Sequence, residues 1–216
     1  MIWWDSCKEN LTPLTTYEPL VISLDAATGR QSYSSDCFAL VGMTRHPDPE
    51  RTDDSVAVRF TYYWQAKAGD KIDFVGTKDF PGPERVLLQL CGYELDDNGR
   101  AIFKSNSGYN VVCVIYDPNE LHSMVQRLTR EGIAWFKEMG QTNQRFEADR
   151  QLLNLITHRR FAHNGEPELR RHIQNADRQL DSTGHKLRIV KRSKSLRIDL
   201  AVCASMGAYQ CLLLNL

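Results

Sequence analysis

The sequence predicts an α/β protein built on one mixed sheet. Three apolar or β-branched stretches, at 20–24, 36–43 and 55–66, predict an antiparallel meander of strands. Residues 110–116 form a nearly continuous β-branched run, which is typical of a strand covered on both faces, as in a parallel sheet. Helical and extended patterns then alternate to the end of the chain. This order predicts a sheet with antiparallel and parallel strands, flanked by helices.

The later elements follow from periodicity and from their start and stop residues. Prolines open two of the predicted helices, and Gly132 ends another. The last helix carries small residues at helical spacing, a face suited to close packing on a sheet. The predicted helices are 83–95, 121–128, 145–158, one from Pro167 and one from about Ile198, and the predicted strands are 133–136 and 187–191.

Composition restricts the class of protein. The chain has 216 residues, of which 42% are hydrophobic and 25% charged, so it can bury a full core and is not disordered. It has no apolar run of about 18 residues and no basic-then-apolar start, so we expect neither a membrane span nor a secretory signal. Six cysteines without a C-x-x-C pair predict a reducing, cytoplasmic setting. We expect one domain over 20–216, preceded by a linker or extension at 1–19.

The charges are unevenly distributed along the chain, although 27 basic residues balance 27 acidic ones. Residues 1–120 carry 11 basic and 18 acidic side chains, and residues 121–216 carry 16 basic and 9 acidic. Such a basic region can serve a polyanion locally, or it can be an ordinary solvated surface.

Three aspartates occupy similar places in the predicted fold. Asp25 ends the first strand, Asp117 ends the central apolar strand, and Asp199 opens the last helix. Taken singly, each is better explained as a turn former or a helix cap. Taken together at the edge of an α/β sheet, they would repel one another strongly, so they are tolerable only with a cation between them or with raised pKa values. Oxygen ligands without thiolates or a histidine cluster favour Mg²⁺ or Mn²⁺.

An ordered set of segments resembles one known family. Leu20–Ala27 with Asp36–Val41, Asn110–Leu121, His163–Ala176 and Lys191–Ala201 resemble, in that order, the nuclease domain of tailed-phage terminase large subunits. The similarity spans about residues 3–213. No single segment is specific, but the ordered set is.

The resemblance implies an RNase H-like fold and a metal-dependent endonuclease that cuts concatemeric viral DNA during packaging. The family's catalytic, metal-binding aspartates map to Asp25, Asp117 and Asp199, which would hold two Mg²⁺ or Mn²⁺ ions. Asp36 would support these ligands or be structural. The implied partners are double-stranded DNA, an ATPase motor domain, a portal and a small terminase subunit, with no membrane, in the host cytoplasm.

The family's ATPase has no counterpart here, because no G-x-x-x-x-G-K-[ST] motif occurs in the sequence. We therefore expect an excised nuclease domain or a split gene product, in which Trp3-Trp4-Asp5 ends a linker from the motor. Lys191, Arg192 and Lys194 precede Asp199 and are candidates for DNA phosphate contacts. A solvated hairpin explains these three equally well.

Two other functions stay open at this stage. The same metal site would serve a junction resolvase or a strand transferase. Alternatively, the domain could be a catalytically silent module that docks on DNA or a portal, in which case the three aspartates would not converge. We expect His172, on an apolar helical face, to be packed rather than catalytic.

Overall fold

A computed structural model describes residues 1–27, 37–51, 54–66, 71–104, 108–181, 184 and 186–216. Within these ranges the helices are α1 (Ile2–Asp5), α2 (Pro83–Leu90), α3 (His122–Arg130), α4 (Asn143–Thr157), α5 (Pro167–Asn175) and α6 (Asp199–Leu213). The strands are β1 (Leu20–Ala27), β2 (Cys37–Arg45), β3 (Val56–Gln65), β4 (Tyr93–Leu95), β5 (Ala101–Phe103), β6 (Val111–Tyr116), β7 (Phe136–Glu138), β8 (Phe161–Ala162), β9 (Ala176–Leu180) and β10 (Leu187–Lys191).

The main sheet has six strands in the order β7-β6-β1-β2-β3-β8. The β1–β2 and β2–β3 pairs are antiparallel and form the predicted meander. The β1–β6, β6–β7 and β3–β8 pairs are parallel. Two hairpins, β4–β5 and β9–β10, lie outside this sheet. The predicted mixed sheet flanked by helices is therefore the one observed.

Each face of the sheet has its own apolar core, because successive strand residues point to opposite sides. Val21 of β1 and Val41 of β2 belong to the core on the side of α4, α5 and α6. Ile22 and Leu40 belong to the core on the side of α2 and α3. The long helix α6 packs against β1 and β2. The central strands are therefore covered on both faces, as their continuous apolar sequence predicts.

The contact between α6 and the sheet depends on small side chains. Ala201, Ala204, Ser205 and Ala208 are fully buried, as the sequence predicts for this face. At Gly207 a Cβ atom would lie 2.9 Å from the Met43 sulfur and 3.2 Å from Ser23 Oγ. A side chain at this position would force either the Met43 side chain or the helix to shift.

The stretch 1–19, predicted as a linker or extension, contains two core residues. Trp4 and Cys7 are buried with the α6-side core. The Trp4 ring stacks on the His163 ring at 4.0 Å between centroids. His163 Nδ1 accepts a hydrogen bond from Gly165 N, and Nε2 donates to the Trp4 carbonyl at 3.0 Å. The first turn of the chain is thus fixed to the body of the domain.

Two predicted boundaries are wrong. The helix predicted at 83–95 ends at Leu90, because the chain turns at Gly92, whose φ is +84°, and continues into β4. The strand predicted at 133–136 begins only at Phe136, and Ile133 instead fills the α3-side core. None of the helices in the described ranges is both long and apolar enough to cross a membrane.

Candidate metal centre

Asp25 and Asp117 lie side by side at one edge of the sheet. Asp25 is near the end of β1, and Asp117 follows β6 directly. These strands are parallel neighbours in which Leu24 pairs with Tyr116, and Asp117 N donates to the Leu24 carbonyl at 3.1 Å. The carboxyl ends of parallel strands are where ligands bind in such sheets. Strand pairing alone therefore brings two of the three predicted aspartates together.

Helix α6 brings Asp199 to the same edge. Asp199 is the first residue of α6, and one turn later the Cys203 thiol donates to the Ala39 carbonyl at 3.4 Å. Ala39 is the cross-strand partner of Asp25. Asp199 is only 4% exposed, and its Oδ2 atom is buried without a hydrogen-bond partner in the described part of the chain. A buried carboxylate oxygen without a donor is free to accept a cation or a hydrogen-bond donor.

The electrostatics of Asp25 confirm this proximity. Burial, together with the negative charges of Asp199 and Asp117, raises its pKa to about 7, while the positive charges of Arg145 and Lys191 oppose the shift. Both other carboxylates thus act on Asp25. Such mutual repulsion is relieved when a cation binds.

The three carboxylates do not surround a single point. Asp117 Oδ1 accepts from Asn119 N and Asp117 Oδ2 accepts from Gln141 Nε2, each at 3.0 Å. Across the ranges that the structure covers, no three carboxylate, imidazole or thiol groups are arranged to hold one ion. The carboxylates share an edge, but Asp117 is turned toward donors of the protein.

The donor chemistry of this edge fits a hard divalent cation. Its acidic groups are carboxylates, and one of them has a buried oxygen without a partner. The Cys37 thiol lies against Asp199, and burial and the nearby carboxylates raise its pKa. The carboxylate oxygens are the hard donors of this edge, the type that Mg²⁺ and Mn²⁺ prefer.

His172 supports the start of α6, as its prediction as a packed histidine suggests. Its ring is fully buried, and Nδ1 accepts a hydrogen bond from Leu200 N at 3.0 Å. The ring also meets Tyr63 edge-on, with 5.0 Å between centroids. Burial lowers the pKa of His172 to about 4, so the ring is neutral and able to accept this bond. It holds the first turn of α6, and with it Asp199, in place.

Comparison with protein families decides the relationship. The family described as "Terminase large subunit, endonuclease domain" matches residues 96–211, more than half of the chain. The chain belongs to this family. The terminase nuclease domain expected from the ordered segments is thereby confirmed. A comparison with curated proteins finds no match.

Solved structures show the same fold. The HK97 bacteriophage large terminase has a TM-score of 0.58 at 17% identity, over 97% of this chain and 42% of that one. The large terminase nuclease from the thermophilic phage G20c has a TM-score of 0.55 at 10% identity, over 96% of each chain. The same nuclease with bound magnesium has a TM-score of 0.50 at 10% identity, over 96% of this chain and 95% of that one.

These matches show that the chain has the fold of the large terminase nucleases. The chain spans less than half of the HK97 protein, whereas it spans nearly all of the G20c nuclease.

The remaining predicted site residues of this terminase nuclease domain have separate positions. Asp36 lies outside the described residues. Lys191 ends β10, and its positive charge reaches Asp25. Arg192 and Lys194 are exposed in the loop between β10 and α6, and Arg192 Nη2 donates to the Ala176 carbonyl at 3.3 Å. A role for these three in DNA binding stays a prediction.

Sequence reasoning missed a buried ion pair and an amide beside the acidic edge. Arg145 Nε contacts Asp149 Oδ1 at 3.1 Å, and the two side chains are 3% and 0% exposed. Their spacing of four residues on α4 is the signal that could have indicated the pair. Gln141, which donates to Asp117, carries no comparable signal, because its partner is 24 residues away.

Proposed function

We propose that this chain is a metal-dependent endodeoxyribonuclease that cuts concatemeric phage DNA during genome packaging. The proposal depends on one observation above all: Asp25, Asp117 and Asp199 meet at one sheet edge, where a buried oxygen of Asp199 has no partner. Family membership supports a nuclease at this edge. The alternative of a silent docking module requires these aspartates to lie apart. It is disfavoured because they share one sheet edge.

The proposed cofactor is a pair of Mg²⁺ or Mn²⁺ ions held by the three aspartates. Carboxylate oxygens are the ligands these hard cations prefer. The magnesium bound to the related G20c nuclease supports the same choice here. Ions at this edge would supply an activated water for attack on the scissile phosphate and would offset charge on the departing 3′ oxygen.

The side chains of the domain have defined tasks in this scheme. The carboxylates hold cations and need not move protons. His172, neutral and buried, keeps the first turn of α6 fixed, so that Asp199 is held in place for a cation. Exposed basic side chains at 191, 192 and 194 lie beside this turn and would contact phosphates. Phosphate contacts read no bases, so we expect weak sequence preference.

The direct test is plasmid nicking with Mn²⁺ by the wild-type chain and by Asp117→Ala. We expect the variant to lose more than about 100-fold in rate, the scale of losing one charged stabilising group in an active site. Glu94→Gln, on the exposed β4–β5 hairpin, is the matched control and should keep full activity. Equal nicking by wild type and Asp117→Ala would refute the assignment. A preference for four-way junctions over linear duplex would instead favour a resolvase.

The DNA contacts have a separate test. Replacing Lys191, Arg192 and Lys194 together by methionine should weaken duplex binding at low salt. It should also reduce the slope of log affinity against log salt concentration by about 2–3. An unchanged slope would assign these residues to a solvated hairpin.

In a complete packaging machine, we propose an ATPase motor domain, a portal and a small terminase subunit as partners, in the host cytoplasm.

A further inference from the structure

Gln141 is placed to control the orientation of Asp117. It lies in the short loop between β7 and α4, next to Asp117 because β7 is the parallel neighbour of β6. The Met139 amide donates to the Tyr116 carbonyl at 2.9 Å, which fixes the start of this loop. The Gln141 side chain is thereby held beside the carboxylate that ends the central strand.

The amide group of Gln141 has its orientation determined by its two partners. Its nitrogen lies 3.0 Å from Asp117 Oδ2 and 3.2 Å from the Met139 carbonyl oxygen. Both partners are acceptors, so the NH₂ group and not the carbonyl oxygen must face them. Both N–H donors of the side chain are used. Rotation of Asp117 would break one of these bonds, so the amide restrains the carboxylate.

The β9–β10 hairpin in turn restrains Gln141. Arg188 Nη1, on β10, donates to the main-chain carbonyl oxygen of Gln141 at 3.0 Å, and its guanidinium lies 5.9 Å from the centre of the Phe146 ring. Lys186 lies over the same ring and donates to Asn143 at 3.3 Å. The hairpin is also joined to α4 by Ile189 N, which donates to Asp149 Oδ2 at 2.9 Å. The loop that carries Gln141 is thus held by contacts from the hairpin.

The geometry points to Gln141 as a positioning residue for the metal ligand Asp117, with Arg188 holding Gln141 in place from the hairpin. This inference rests on the proposed function, because it concerns an aspartate assigned there to the cations. Partners that orient a ligating carboxylate typically change metal affinity by about 10–100-fold when they are removed. Gln141 and Arg188 therefore couple the placement of the β9–β10 hairpin to cation binding at the sheet edge.

The test measures Mn²⁺ affinity directly, by calorimetry and by the electron paramagnetic resonance signal of free Mn²⁺, on the whole chain. We expect Gln141→Leu to weaken Mn²⁺ binding about 10-fold or more. Arg188→Met should weaken it by a smaller factor, and Arg188→Lys should restore part of the loss. Gln126→Leu is the matched control: its amide pairs with the exposed His122 ring at 2.8 Å on α3, outside the loop that carries Gln141. It should bind Mn²⁺ as the wild type does.

Nicking at several Mn²⁺ concentrations gives a second measurement. Gln141→Leu should need more Mn²⁺ for half-maximal activity and should approach the wild-type rate at saturation, whereas general damage to the fold would lower the saturated rate. Unchanged Mn²⁺ affinity in Gln141→Leu overturns the inference. If circular dichroism shows that Gln141→Leu is unfolded, the Mn²⁺ affinity of Arg188→Met is the deciding measurement. Unchanged affinity in Arg188→Met would then overturn the inference.

Mn²⁺ binding by the wild-type chain and by Asp117→Ala distinguishes failure of this inference from failure of the proposed function. A wild-type chain that binds no Mn²⁺, or an Asp117→Ala variant that binds it equally well, would refute the metal site itself. Normal binding by the wild type, loss in Asp117→Ala and no change in Gln141→Leu would refute only the positioning role.

Discussion

Two groups of buried charges lie close together in this domain, and they are treated in opposite ways. Asp149 is fully buried and receives hydrogen bonds from Arg145 Nε, from Ser205 Oγ at 2.7 Å and from Ile189 N at 2.9 Å. Asp199 is almost as buried, yet one of its oxygens has no donor among the described residues. The first charge is neutralised by the protein and joins α4, α6 and β10. The second is the charge that we propose a cation neutralises.

Whether the protein itself satisfies a buried carboxylate distinguishes a structural residue, such as Asp149, from a candidate ligand, such as Asp199. A buried charge that the fold satisfies contributes to a unique structure, whereas one that it leaves unsatisfied costs stability until its ligand arrives. Mutations in the two groups should therefore change the free energy of unfolding in opposite directions.

The largest effect is expected at Asp149. Asp149→Ala leaves the Arg145 guanidinium buried without its counter-charge and removes the acceptor for Ser205. It should lower the free energy of unfolding by about 3–5 kcal/mol, measured by urea denaturation. The double variant Arg145→Met/Asp149→Leu removes both charges and should lose less than Asp149→Ala. A loss below about 1 kcal/mol in Asp149→Ala would show that the pair is not the neutralised unit described here.

The next effect is a pH dependence that originates at Asp25. Its pKa is raised to about 7 in the folded chain, from an ordinary value of 3.8 for an aspartate. The folded state thus holds a proton that the unfolded state releases, so the stability from this group is complete below about pH 4 and is lost as pH rises through 7. Without divalent ions, we expect a decrease of about 2–4 kcal/mol over that range.

Two controls isolate this contribution. Asp25→Asn should flatten the dependence of unfolding free energy on pH between 4 and 7. Saturating Mg²⁺ should flatten it as well, because the ion stabilises the ionised carboxylate and binds the folded state alone. A wild-type slope that survives in Asp25→Asn would assign the pH dependence to other groups.

A smaller effect of opposite sign to that of Asp149→Ala is expected at Asp199. Without metal, Asp199→Asn removes one of the mutually repelling charges and supplies an N–H donor near the other carboxylates. It should raise the free energy of unfolding by about 1–2 kcal/mol while abolishing nicking. Thermal unfolding with and without Mg²⁺ measures this, and the advantage over wild type should shrink as Mg²⁺ is added. Destabilisation in metal-free buffer would contradict the comparison between the two charged groups.

The sequence predicts one of these charged groups far better than the other. Asp25, Asp117 and Asp199 can be anticipated because each stands at the end or start of an element with a strong apolar pattern. Asp149 is satisfied by hydrogen bonds from Ile189 N, 40 residues away, and from Ser205 Oγ, 56 residues away. No local sequence pattern encodes such contacts. Gln141 is hidden for the same reason.

The hairpin shows a second limit of sequence reasoning. The sequence predicts strand β10 but not its partner β9, because four of the five residues of β9 are exposed and show no alternation of apolar and polar side chains. Local periodicity reports burial, so it misses a strand that is held mainly by its neighbour's backbone. The predicted sheet and helices, which bury apolar faces, are accordingly the parts that agree best with the structure.

The smallest effect is expected at an ion pair that lies outside both buried groups. Glu168 and Arg171, one turn apart on α5, form a salt bridge with side chains that are 42% and 55% exposed. Water already solvates both charges, so Glu168→Gln should change the free energy of unfolding by less than about 0.5 kcal/mol, and 0.5 M salt should erase even that. Urea denaturation beside Asp149→Ala gives the contrast. A loss comparable to that of Asp149→Ala would mean that burial is not what distinguishes the charges of this domain.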